Sequence, residues 1–157
     1  MSIDTIRFKD QLDAVQITYQ TNQVTISLSG GHILSFQTDG VERLWMSPKA
    51  HLETGKSIRG GIPVCWPWFG AHPSDESKPA HGFARTSIWT LVDAQDHDDF
   101  SSVTLVLENS VANPLFPHDC SLALKVTLTD KLSVELITTN LDRQPIEITQ
   151  ALHTYLP

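Results

Sequence analysis

Apolar and polar residues alternate with a period of two along most of this chain. Val15, Ile17 and Tyr19 are separated by polar residues, and Val24, Ile26 and Leu28 alternate with Thr25, Ser27 and Ser29. Such alternation predicts strands with one buried face. Gly30-Gly31 reads as a turn, Leu34 and Phe36 open a third run, and Thr38-Asp39-Gly40 turns into Val41–Trp45. Two more runs follow, Ile88–Val92 and Val103–Leu107. The most regular pair is Leu122, Leu124, Val126 and Leu128, turning at Thr129-Asp130-Lys131 into Leu132, Val134 and Leu136, and it predicts a hairpin. A last extended run is expected from Ile146 to Leu156. Residues 1–12 keep no period and are expected as an irregular lead-in. No long segment carries a helical stripe. Short strands divided by Gly and Asp turns predict an all-β, antiparallel sandwich.

Residues 46–87 break the pattern. A connection of that length inside a compact domain is normally functional or disordered, and its aromatic content speaks against disorder. It contains Ser57-Ile58-Arg59-Gly60-Gly61-Ile62-Pro63-Val64-Cys65-Trp66-Pro67-Trp68-Phe69-Gly70 and, after a polar tip, Pro79-Ala80-His81-Gly82-Phe83-Ala84-Arg85. Neither the helical nor the strand period fits, so a rigid loop is expected. Arg59 and Arg85 offer planar forks of donors suited to phosphate or carboxylate. Trp66, Trp68 and Phe69 offer flat apolar faces of the kind on which sugars stack, although Trp68 could equally pack beneath the loop. The combination points to a pocket for a sugar that carries an anion. In the last run, strand parity sets Ile146, Ile148, Gln150 and Leu152 on one face and Glu147, Thr149, Ala151, His153 and Tyr155 on the other.

Composition narrows the reading. The chain has 157 residues, a soft prior for one domain, and its 40% apolar and 18% charged content is that of a globular protein. A net charge of −7 argues against nucleic acid as a partner. It does not exclude a small anion, because Lys56, Arg59, Lys78 and Arg85 cluster in the long connection while acid gathers at Asp93–Asp99. No apolar run is long enough to span a bilayer, and Met1-Ser2-Ile3-Asp4 has no signal-peptide character, so a cytoplasmic protein without membrane attachment is the expectation. Cys65 and Cys120, the only cysteines, are expected as free thiols. No dinucleotide fingerprint, phosphate loop or nucleophile elbow is present. No metal site is expected, since His72, His81 and Cys65 lack ligand spacing.

The two segments "SIRGGIPVCWPWFG" and "PAHGFAR" resemble the hexose-6-phosphate mutarotases, or glucose-6-phosphate 1-epimerases, a branch of the aldose 1-epimerase family. The resemblance spans essentially the whole chain, while family members continue for nearly as long again. It implies a galactose-mutarotase-like sandwich, of which residues 1–157 would be the N-terminal portion. It implies interconversion of the α and β anomers of a hexose 6-phosphate, an isomerase reaction that needs no cofactor. His153, in "ALHTYLP", matches the family's catalytic acid toward the ring oxygen. His81 matches a second cleft histidine, and Arg59 and Arg85 match the arginines that hold the phosphate. Where some relatives carry a glutamine before that second histidine, this chain has Ala80.

The resemblance also exposes an absence. The family's base at the anomeric hydroxyl is a glutamate far downstream, for which neither Glu135 nor Glu147 stands in. The chain alone is therefore expected to show little or no epimerase activity, and to leave sheet edges open to self-association. The alternative from another class is a carbohydrate-phosphate binding module without turnover. A structural fragment that works only within an assembly is the third reading.

Overall fold

The computed structural model describes residues 1–157. Strands β1 (Ser2–Phe8), β2 (Leu12–Tyr19), β3 (Asn22–Ser27), β4 (His32–Thr38) and β5 (Val41–Glu42) form a meander in the order β1-β2-β3-β4-β5. After β6 (Val64–Cys65) and a short 3-10 turn at Ala84–Thr86 come β7 (Thr90–Asp96), β8 (Ser101–Asn109), β9 (Cys120–Leu128) and β10 (Leu132–Asn140). These last four form a second sheet in the order β10-β9-β8-β7. Every strand pairing is antiparallel, and β2 and β3 pack against β8 and β9 to make the sandwich.

The predicted periodicity is what fills the space between the sheets. Val15, Ile17, Val24 and Ile26 from one sheet meet Val103, Leu105, Leu122, Leu124, Val126 and Leu128 from the other in a single core cluster. The expected hairpin is β9–β10, with Leu132 opposite Leu128 and Glu135 opposite Lys125. Burial alternates strictly along β9 and more weakly along the edge strand β10. Both cysteines are buried free thiols.

The structure corrects the sequence reading in two places. Residues 2–8 are no irregular lead-in but the edge strand β1, pairing with β2 over its whole length. Its period is hidden because Ile3 packs on the main core while Phe8 packs on a separate small cluster of Leu12, Leu34 and Ile58. The last run is a regular strand only at β11 (Ala151–Leu152), which pairs with β6. Around it the chain still lies extended beside the long loop: Thr149, His153 and Tyr155 donate their N–H groups to the carbonyls of Pro67, Pro63 and Gly61 at 2.9–3.0 Å. Two of those partners are prolines, which have no N–H to return. The ladder is thus one-sided, and a regular strand cannot extend along it.

Candidate active site

The strip formed by residues 61–67 and 149–155 brings together what the sequence set nearly a hundred residues apart. His153 lies across from Pro63, and Tyr155 lies across from Gly61, two residues beyond Arg59. Parity then lines up the side chains of His153 and Tyr155 on one side, ring centroids 4.9 Å apart. Tyr155 stacks on Trp45 at 5.7 Å, and the Arg59 guanidinium lies over the Trp45 ring at 5.9 Å. In the other direction His153 reaches His81 at 6.1 Å and Phe69 at 6.3 Å. One continuous row of rings therefore runs from Arg59 to the His81 loop.

That loop is locked to the first motif by backbone. His81 donates its N–H to the Gly70 carbonyl, and Trp66 and Phe83 donate to the carbonyls of His81 and Trp66. Gly82 is required here: its φ is +69°, and a Cβ would stand 1.9 Å from the Trp66 carbonyl oxygen. His81 itself adopts φ +63°, and its Nδ1 accepts the Gly70 N–H at 2.9 Å. With Nδ1 an acceptor, the proton of the neutral ring sits on Nε2 at the opposite edge. Partial burial, and then the nearby charges of Arg85 and His153, hold this imidazole below the ordinary histidine pKa. His81 is therefore a neutral hydrogen-bond donor at pH 7. His153 is exposed. No side-chain hydrogen bond engages its ring, which is left free for a proton-transfer role.

The two arginines differ. Arg59 is exposed and has neither a hydrogen bond nor an ion pair, so its fork is free for a ligand. Arg85 is half-buried, donates from Nη2 to the Ala80 carbonyl at 3.0 Å, and keeps a buried Nε–H without a partner. No aspartate or glutamate pairs with either. Of the three aromatic candidates, only Phe69, 49% exposed, belongs to the open face. Trp66 is fully buried, edge-on to Phe83 and Phe116, with its indole N–H on Thr138 Oγ1. Trp68 is also in the core and donates to the Pro79 carbonyl. Trp66 therefore supports the loop from beneath and does not reach the face, against the expectation that it walls a pocket, while Trp68, for which both places were open, packs in the core with an edge on the hollow beside His72.

Nor is the site an enclosed hollow. Surface hollows of about 450 Å³ at Phe8, Leu34, Trp45 and Met46 and about 390 Å³ at Trp68, His72, Lys78 and Glu147 flank it, and the imidazoles lie on the open strip between. Sequence reasoning missed Trp45 and His32 altogether. Trp45 carried a signal, an aromatic at the end of a strand-like run just before the long loop. His32, an isolated histidine at the start of a strand-like run, carried almost none.

The antiparallel sandwich, with the long loop's His81 and Arg59 set in one row with His153 of the last extended run, is the architecture found in the mutarotase-like folds. The chain belongs to the aldose 1-epimerase family, whose profile, "Aldose 1-epimerase", matches residues 13–157. It is 35% identical over 150 residues to an Escherichia coli protein named "Putative glucose-6-phosphate 1-epimerase", covering 93% of this chain and 49% of that one. A crystal structure from Salmonella typhimurium, of a protein described as a "putative mutarotase", superposes with a TM-score of 0.86 at 31% identity, over 98% of this chain and 51% of that one. A galactose mutarotase-like protein from Clostridium acetobutylicum shares the fold at 19% identity, with a TM-score of 0.79 over 98% of this chain and 53% of its own. The chain thus spans about half the length of the curated relatives it matches. No helix in it is long and apolar enough to cross a membrane.

Proposed function

We propose that this chain binds a hexose 6-phosphate and supplies the acid for interconversion of its α and β anomers. Arg59 and Arg85 take the phosphate, Phe69 and Tyr155 flank the sugar, His81 donates from Nε2 to a sugar oxygen, and His153 protonates the ring oxygen. As the ring oxygen gains that proton, a carboxylate base removes the proton of the anomeric hydroxyl. The bond between C1 and the ring oxygen breaks, and the aldehyde rotates. Closure on its other face then returns both protons. A positioned acid of this kind contributes on the order of 10²–10⁴ in rate. The reading needs no metal or other cofactor.

The observation that supports the reading best is the single row of rings that joins an unpaired guanidinium to an exposed imidazole. One observation favours binding without turnover in the 157-residue chain. Glu135 faces Lys125 on the β9–β10 hairpin and Glu147 lines the neighbouring hollow, so neither carboxylate stands on the strip as a base. We therefore expect ligand binding from this chain and anomer exchange only where a carboxylate is added to the strip. Titration with glucose 6-phosphate and with glucose tests the binding. The phosphate should be preferred, and Arg59→Ala should remove the preference. Anomer-exchange spectroscopy tests turnover, and any rate found should vanish in His153→Ala. Equal affinity for the two sugars would end the proposal.

A further inference from the structure

Outside the strip, one group stands unexplained. His32 opens β4 and is 1% exposed, and the charged group that acts on it is the guanidinium of Arg85, whose Nε is also buried. Its Nε2 lies 2.7 Å from the Gly60 carbonyl oxygen, so Nε2 must carry the proton and donate it. Its Nδ1 is then an acceptor, buried without a partner. Leaving a buried polar atom unpaired is costly, so a plain apolar residue would serve the core better.

The neighbours of His32 show what the position does. Gly30, two residues earlier, approaches the Arg85 backbone so closely that a Cβ would meet the Arg85 carbonyl oxygen at 2.6 Å. Ile33, the next residue, accepts the Ile62 N–H at 2.9 Å. Gly61 has φ +62°, and a Cβ there would meet the Ile33 carbonyl at 2.1 Å and His32 Nε2 at 3.2 Å. The start of β4 is thus wedged between the turn that carries Arg85 and the loop that carries Arg59. Only one side chain in it bonds to that loop.

We propose that His32 is the positioning residue of the anion-binding half of the site: its Nε2–H fixes the Gly60 carbonyl and thereby the angle at which Arg59 leaves the loop. The inference rests on the phosphate reading above. The low dielectric around the ring and the charge of Arg85 keep His32 neutral, so the donor and acceptor assignment holds at pH 7.

The test compares side chains that keep or lose the donor at similar volume. In His32→Gln the amide nitrogen can occupy the place of Nε2; in His32→Leu nothing donates. Each variant, the wild type and Arg59→Ala are titrated with glucose 6-phosphate and with glucose. Expected is at least a tenfold fall in the preference for the phosphate in His32→Leu, with glucose affinity within about twofold of wild type and the preference in His32→Gln within about threefold. His32→Asn, too short to reach Gly60, gives the same comparison if His32→Leu does not fold. A purely structural role would weaken both sugars together, and that result overturns the inference. So does a preference kept in His32→Leu, or one lost as fully in His32→Gln. A wild type that shows no preference for the phosphate overturns the functional reading instead.

Discussion

Acid should weaken this fold through His32 before it weakens most of the surface. In the folded chain burial, opposed in part by the Gly60 hydrogen bond and aided by the charge of Arg85, lowers this imidazole from 6.5 to about 4. Between those values the unfolded chain binds a proton that the folded chain refuses. Stability therefore rises with pH across that window, is fully present above about pH 6.5, and is lost as pH falls toward 4. At about 1.4 kcal/mol per pKa unit the whole effect is roughly 3 kcal/mol, of which about 2.5 is lost by pH 4.5. Total stabilities of single domains are about 5–15 kcal/mol, so the loss is large. The assay is urea unfolding of wild type and His32→Gln at several values between about pH 7.5 and 4.5. His81 and Asp75, both held below their ordinary values, lose stability in the same direction but do so in both proteins. The difference between the two curves isolates His32. Wild type should lose about 2.5 kcal/mol more than the variant over that range. Parallel curves would refute the buried, neutral histidine and the wedge built on it.

Two further outcomes follow from the packing. Gly82→Ala should cost several kcal/mol and Gly40→Ala only about 1, because both have positive φ but only at Gly82 does a carbonyl oxygen occupy the space of the new methyl; equal unfolding midpoints would show that the loop yields. Trp66→Phe should lower stability by about 1 kcal/mol or more, through the lost Thr138 hydrogen bond and lost volume, and leave sugar affinity unchanged, whereas Phe69→Ala should do the reverse. A Trp66→Phe variant that binds sugar poorly but unfolds normally would put the indole back on the binding face.

How much of this was legible in the chain depended on how local each cause was. The β9–β10 hairpin reads directly, since every second residue from Leu122 to Leu128 enters one core. β1 does not, because its apolar residues serve two cores on opposite faces. The parity of His153 survives although most of its run is no regular strand, because extended backbone alternates whether or not a partner returns its hydrogen bonds. The motif residues could be grouped from sequence, but not sorted into those that touch a ligand and those that carry the loop. Trp66 and Phe69 stand three residues apart, one fully buried and the other half-exposed. His32 was beyond reach. Its partner Gly60 is 28 residues away, and no local pattern around either residue marks the pair.

The one-sided ladder acts as a ruler. His153 and Arg59 belong to two chain segments joined rung by rung, so the gap between acid and cation is counted in peptide units of roughly 3.3 Å. Adding two residues between Gly61 and Pro63 would leave the His153–Pro63 rung in place and lengthen the gap by about two such units without turning Arg59 over, favouring sugars whose charge lies further from the ring. Adding one would turn Arg59 to the other side and abolish the preference for the phosphate. Titrating both insertions against sugar phosphates of increasing tail length would read the scale.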